Sequence, residues 1–241
     1  MENTNLNGKT VIVTGANRGL GKAITHKLAK MGAFVYMVCR DPVMGKEVEK
    51  EFLEENLKVK LKITDLEKIE DIGNLYNEIA SEKEYIDILI NNAGVNLEEP
   101  DTRIDNLDIN ILQRTMDINF RGLLYTCQKF LNLLIKAPEA RIINFSSGLG
   151  QLTVPRMGYY PAYSISKTAV NALTKNLAFE LKDTNVSVFS VDPGWVKTRL
   201  GGPEAPLEIK EGIDTTIFLS TEPIANLQSG EFYKERKILG W

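Results

Sequence analysis

TVIVTGANRGLGKAITHKLAK, residues 10–30, decides the fold. TVIVTG (10–15) reads as a strand, and the pattern from about 19 to 31 reads as a helix. Between them lie Gly15, Gly19 and Gly21. Gly15 allows a tight turn, Gly19 lets backbone approach a pyrophosphate, and Gly21 lets the helix pack close to the sheet. The helix start then offers unpaired N–H groups and the positive end of its dipole to an anion. A strand, a glycine loop and a helix in this order open a βαβ unit built to cradle phosphate.

The same alternation continues along the chain. FVYMVC (34–39), VKLKI (59–63), IDILIN (86–91), RIINFS (141–146) and VSVFSV (186–191) read as strands. Several are apolar at consecutive positions, as in parallel strands covered on both faces. Helices are expected at about 42–56, 66–83, 108–136, 161–182 and 209–220, with a short final strand near EFYKE (231–235). KTRLGGPEAPLE (197–208), rich in Gly and Pro, reads as a surface loop. No repeat or linker divides the chain, so residues 1–241 are expected to form a single α/β domain. Its architecture is a doubly wound, Rossmann-type, mostly parallel seven-stranded sheet with helices on both faces. Ligands of such sheets bind beyond the carboxyl ends of the strands.

Composition narrows the chemistry. Hydrophobic residues make up 43% and charged residues 25%, with a net charge of −3. That balance does not point to nucleic acid or to an anionic membrane. The polar N-terminus carries no signal-like apolar run, and no stretch has the length of a membrane span, so a cytoplasmic protein is expected. Cys39 and Cys127 stand far apart, in no metal-ligand spacing. The single histidine, His26, lies in the first helical pattern and is expected on its surface. A hydrolytic Ser-His-Asp triad or a His-rich zinc site would have to rest on that one residue. Acid–base work therefore falls to another residue type.

YPAYSISK (160–167) offers one. Tyr163 and Lys167 are four apart after a proline and share a helix face. A free phenol has a pKa of ~10 and is a poor acid or base at neutral pH. A nearby ammonium favours the phenolate and could bring the proton into working range. Tyr159 and Tyr160 lack a lysine at that spacing. Taken alone, the pattern is better read as an ordinary i,i+4 Tyr–Lys pair on a wet helix face.

Four motifs change the balance. T-G-x-x-x-G-x-G (14–21), NNAG (91–94), YSISK (163–167) and DPGWVKT (192–198) resemble the short-chain dehydrogenase/reductase family. They occur in the family's order and span nearly the whole chain. The segment from DPGWVKTRLGGPEAP to GEFYKERKILGW is similar to the carbonyl-reductase branch.

The resemblance implies a site. Ser147, Tyr163 and Lys167 would be catalytic, with Asn119 of MDINFRG as the fourth member, kinking its helix and holding a water in a relay to Lys167. Ser146 stays open as an alternative to Ser147. The stretch from Ser147 to Tyr163 is longer than the family's usual one, and the usual spacing would land on Gly150, which has no side chain. Asn17, Arg18 and Leu20 would join the three glycines around the cofactor. Asp65 and Leu66 would contact adenine, and Asn92, Ala93 and Gly94 would lie near the ribose, with Asn91 supporting the sheet. Tyr163 and Lys167 would also touch the cofactor, and Lys167 would bind the nicotinamide ribose. Pro193, Gly194, Val196 and Thr198 would shape the nicotinamide pocket.

NAD-preferring members carry an acid at the end of the second strand; here Cys39 stands there, followed by Arg40. An arginine fork binds a 2′-phosphate that a carboxylate would repel, so the expected cofactor is NADP(H). The alternative is two ordinary surface arginines, Arg40 pairing with Asp41. The expected activity is NADPH-dependent reduction of a ketone or aldehyde, with Tyr163 as general acid. Alternatives are a non-catalytic NADP(H) sensor or a dehydrogenase working in the alcohol-oxidising direction. Leu149, Leu152, Val154, Met157, Tyr159 and Leu200 suggest a moderately apolar small-molecule substrate, with Arg156 and Arg199 as charged neighbours. The family pattern allows a homodimer or homotetramer through the two long helices and leaves a monomer open.

Overall fold

Each central strand alternates its side chains between two apolar layers, which explains its unbroken hydrophobic run. In β1 (Thr10–Thr14), Val11 and Val13 enter a layer with Ile24 and Leu28, whereas Ile12 enters a second layer with Phe130 and Val188. The computed structural model describes residues 5–154 and 159–241. After β1 come α1 (Gly19–Lys30), β2 (Phe34–Cys39), α2 (Pro42–Glu54), β3 (Val59–Ile63), α3 (Ile69–Glu82) and β4 (Ile88–Asn91). Then follow α4 (Ile109–Met116), α5 (Leu123–Ile135), β5 (Ala140–Phe145), α6 (Pro161–Glu180) and β6 (Val186–Val191). The chain closes with α7 (Ile209–Gly212), α8 (Asp214–Thr221), β7 (Phe232–Lys234) and β8 (Lys237–Leu239).

These strands form one eight-stranded sheet in the order β3-β2-β1-β4-β5-β6-β7-β8. All pairs are parallel except β7 with β8. The strand order reverses between β1 and β4, and the crevice beyond that point is where a dinucleotide is bound in such folds. Among the described residues no helix is long and apolar enough to cross a membrane. His26 lies on α1 against Phe52, its Nε2 3.0 Å from Glu55 Oε2.

Three elements differ from the sequence expectation. The sheet gains an eighth strand through a hairpin whose turn residues, Glu235 (φ 49) and Arg236 (φ 62), are both left-handed. Neither is a turn-favouring Gly or Asn. Arg236 is held there by Asp214 and by the Thr215 hydroxyl, which accepts its backbone N–H at 3.2 Å. Helix α3 starts at Ile69 because Asp65 first closes a turn, its carbonyl accepting from Lys68 N at 2.9 Å. The expected helix 108–136 is interrupted by a π-helical turn, Asp117–Gly122. A Cβ on Gly122 would lie 2.4 Å from Leu66 O, so the bulge sits where the chain presses on the end of β3.

Candidate active site

The glycine loop has the geometry of a cradle. Gly15 is left-handed (φ +68), and a Cβ on Gly21 would fall 2.2 Å from Gly15 O. Loop and helix therefore approach more closely than any side chain permits. The first N–H groups of a helix lack intrahelical acceptors. In α2 and α4 the side chains of Asp41 and Asp108 supply them, but Arg18, in the equivalent position of α1, caps nothing. The orphan donors and the closed glycine turn suit a pyrophosphate. Asn17 is half-buried, Arg18 is exposed, and Leu20 packs toward Gly212. Thr198 closes over the loop: a Cβ on Gly19 would meet its methyl at 3.6 Å. The dinucleotide implied by the motifs fits this cradle.

At the end of β2, Cys39 is buried and its thiol is pushed up to about 11 by burial, with Asp41 adding to the rise. Arg40 is exposed and does not pair with Asp41, which is occupied in capping α2. Its Nη1 instead donates to Glu67 Oε2 at 3.3 Å, and Arg114 Nε donates to the other oxygen at 3.0 Å. The parallel register that sets Cys39 beside Ile63 brings these groups together. Asp65 accepts from Glu67 N at 3.2 Å, holding the turn before α3.

NNAG runs beneath the same crevice. Asn91 donates to Asn144 Oδ1 at 2.9 Å, and Asn144 donates to Thr174 at 3.0 Å, a buried polar link from β4 through β5 to α6. Asn92 Nδ2 donates to Thr14 O at 2.7 Å, and Ala93 N to Thr14 Oγ1 at 3.0 Å, tying β4 to the start of the cradle. A Cβ on Gly94 would lie 3.4 Å from both Asn119 Oδ1 and Lys167 Nζ. Gly94 thus borders two of the expected catalytic residues.

The structure brings Ser147, Tyr163, Lys167 and Asn119 to one end of the sheet. Ser146 is buried and donates to Lys167 O at 3.1 Å, whereas Ser147 is half-buried, accepts from Leu149 N at 3.2 Å and lies near enough to the Tyr163 phenol to favour its ionised form. Ser147, not Ser146, therefore faces the tyrosine. Lys167, 3% exposed, donates from Nζ to Phe145 O at 2.7 Å and lies 5.5 Å from the Tyr163 ring centroid. Burial lowers its ammonium to about 8. Tyr163 moves the opposite way from the expectation of an ammonium-lowered phenol. Burial pushes it up to about 12, Asp192 adds to the rise, and the neighbouring Ser147 only partly offsets it. Desolvation holds the phenol's proton and at the same time weakens the lysine charge meant to release it.

Asn119 sits in the π turn, so the expected interruption is present. Its amide grips Val95 at both ends, accepting from Val95 N and donating to Val95 O, each at 2.8 Å. It also donates to Ser166 Oγ at 3.0 Å. Asn119 thereby joins the segment after β4 to the catalytic helix.

Beyond β6, Asp192 was not foreseen as a site residue. It is buried, accepts from Gly194 N at 3.0 Å, pairs with Lys234 at 3.2 Å, and lies under Gly148. An acid directly before Pro-Gly was its only sequence signal. Glu67 was missed for a different reason, since its role appears only once β2 and β3 are paired. Pro193 and Gly194 turn the chain here, Val196 is buried, and the Thr198 hydroxyl accepts from Gly201 N at 3.1 Å. Leu149, Leu152, Val154, Tyr159 and Leu200 are solvent-exposed apolar side chains, joined by Trp195, whose indole donates to Gly201 O at 2.6 Å. Arg199 is exposed beside Leu200, and Arg156 and Met157 lie outside the described residues.

Comparison with known proteins agrees with this geometry. The short chain dehydrogenase family model matches residues 9–206. An uncharacterized oxidoreductase of Staphylococcus saprophyticus is 33% identical, covering 90% of this chain and 93% of its own length. The 3-oxoacyl-(acyl-carrier-protein) reductase of Aquifex aeolicus is also 33% identical, covering 92% of this chain and 89% of its own. The NADPH-bound carbonyl reductase from chicken fatty liver superposes with a TM-score of 0.87 at 27% identity, covering 98% of this chain and 100% of that one. The chain belongs to the short-chain dehydrogenase/reductase family of oxidoreductases.

Proposed function

We propose that the protein is a single-domain, NADPH-dependent reductase that converts a ketone or aldehyde to an alcohol, with Tyr163 as proton donor. The observation that carries this is the buried Lys167 ammonium held 5.5 Å from the Tyr163 ring centroid, with Ser147 close by, beside the glycine cradle. When bound, the nicotinamide cofactor supplies the hydride. Ser147 holds the carbonyl oxygen. Tyr163 is protonated at neutral pH because burial holds its proton, so it stands ready as an acid and not as a base. Reduction is favoured over alcohol oxidation because the inferred cofactor, NADPH, is typically kept reduced in cells. Once the proton has passed to the developing alkoxide, the Lys167 ammonium stabilises the phenolate left behind. Asn119 keeps Val95 and the start of α6 in register.

Gly15, Asn17, Arg18, Gly19, Leu20 and Gly21 would hold the pyrophosphate end. Asp65 and Leu66 would hold adenine, and Asn92, Ala93, Gly94 and Lys167 the ribose beside the nicotinamide. Pro193, Gly194, Val196 and Thr198 would enclose the ring. NADP(H) is favoured over NAD because the end of β2 carries Cys39 and Arg40 instead of an acid. The neighbouring Glu67 works against a 2′-phosphate unless Arg40 and Arg114 neutralise it. The exposed apolar side chains around the crevice suit a small, moderately apolar carbonyl compound acted on in the cytoplasm. Pairing through α4–α5 and α6 would give a homodimer or homotetramer, and the monomer is equally compatible with this chemistry.

The test follows NADPH absorbance with a panel of ketones and aldehydes, repeated with NADH. Turnover that prefers NADPH is expected. Tight NADPH binding without turnover of any carbonyl would favour a sensor instead.

A further inference from the structure

Resting on the reading of Tyr163 as proton donor, we infer that Glu98 is the positioning residue that fixes where Tyr163 presents its hydroxyl. Helix α6 has no cap of its own. Tyr160 occupies the cap position in a left-handed conformation (φ 52, ψ 58) with no side-chain cap bond. Pro161 follows and has no N–H to satisfy. The next two N–H groups, of Ala162 and Tyr163, need acceptors from outside the helix.

Glu98 provides both. Its Oε1 accepts from Ala162 N at 2.9 Å and its Oε2 from Tyr163 N at 2.7 Å. It reaches them from the segment after β4, and it is only 8% exposed. Carboxylate acceptors make short, strong bonds to backbone donors, and a negative charge here opposes the positive helix end. The same segment is anchored at its other side, where Asn119 grips Val95. A continuous frame thus runs from the π turn through residues 95–98 to the backbone N–H of Tyr163 itself. The tyrosine hydroxyl sits at the far end of a long side chain, so a small rotation of the first helical turn moves it away from Ser147. Glu98 uses both oxygens on backbone and acts on the reaction only through Tyr163.

Glu98→Gln keeps the volume and one acceptor but turns the other atom into a donor facing an N–H. Glu98→Ala removes both acceptors. Both are compared with Tyr163→Phe, each measured for NADPH affinity, kcat, KM for a carbonyl substrate and the solvent deuterium isotope effect on kcat. The expected result is a kcat loss on the order of 10- to 100-fold in Glu98→Ala, and a smaller one in Glu98→Gln. NADPH affinity and KM should stay near wild type, and the isotope effect should rise as proton transfer becomes limiting. Wild-type kcat and isotope effect in Glu98→Gln would overturn the inference. So would a parallel fall of kcat and NADPH affinity, which would mark a purely structural cap. If Glu98→Ala fails to fold, Glu98→Gln decides. Normal turnover by Tyr163→Phe would instead remove the proton-donor reading on which the inference rests.

Discussion

Replacing Lys167 by methionine tests the electrostatics of the site without reference to any substrate. The ammonium is 3% exposed, and burial lowers it from the ordinary 10.5 to about 8. A difference of about 2.5 units corresponds to roughly 3 kcal/mol. The sign follows from proton counting. Below pH 8 the lysine is charged in both states, and the folded state bears the full cost of burying the charge. Between about 8 and 10.5 the folded lysine is neutral while the unfolded one still binds a proton, so wild-type stability rises with pH through that window. Methionine has no such dependence. It loses the bond from Nζ to Phe145 O, and a carbonyl left unmet costs about 1–3 kcal/mol at every pH. The absolute change at neutral pH is therefore small, but its pH dependence is not. Urea denaturation of both proteins, without cofactor, should show the variant's relative stability falling by about 2–3 kcal/mol from about pH 7 to about pH 10. A stability difference that does not move with pH would refute the claim that Lys167 is desolvated in the fold.

Three further perturbations probe other parts of the site. Arg40→Asp should narrow or reverse the preference for NADPH over NADH in steady-state assays, and equal use of both cofactors by the parent would contradict the assignment. Asp192→Asn removes a charge that adds to the rise of the Tyr163 pKa, so the phenol's own titration, read as the ultraviolet difference from the same protein carrying Tyr163→Phe, should move to lower pH. An unshifted phenol titration would show that Asp192 is electrically remote from Tyr163. Glu235→Gly relieves a left-handed backbone at the β7–β8 turn and should stabilise the fold by about 0.5–1 kcal/mol, read as a raised urea midpoint.

The parts of this molecule that were legible in sequence are those whose signal is local. The glycine loop is one, because strand, Gly15–Gly21 and helix are contiguous. The Tyr163–Lys167 pair is another, because four residues on a helix fix a shared face. The π turn was only hinted at by Asn119 and Gly122, and the close approach of Leu66 to Gly122 at that turn comes from across the fold. Strand β8 escaped because its turn is held by Asp214 and Thr215 and not by turn-forming residues. Burial reversed the expected direction of the Tyr163 shift, and burial is a tertiary property that spacing does not carry. Glu98 was invisible for the same reason, lying 64 residues from the first N–H it caps.

In the proposed reaction Tyr163, alone of the neighbouring tyrosines, moves the proton. Tyr163→Phe and Tyr160→Phe should be compared for NADPH-dependent carbonyl turnover, with NADPH binding measured on the same samples. Tyr163→Phe should lose turnover by a factor on the order of 100 or more while binding NADPH nearly as the parent does, and Tyr160→Phe should keep most of its activity. Sustained turnover by Tyr163→Phe would contradict that role.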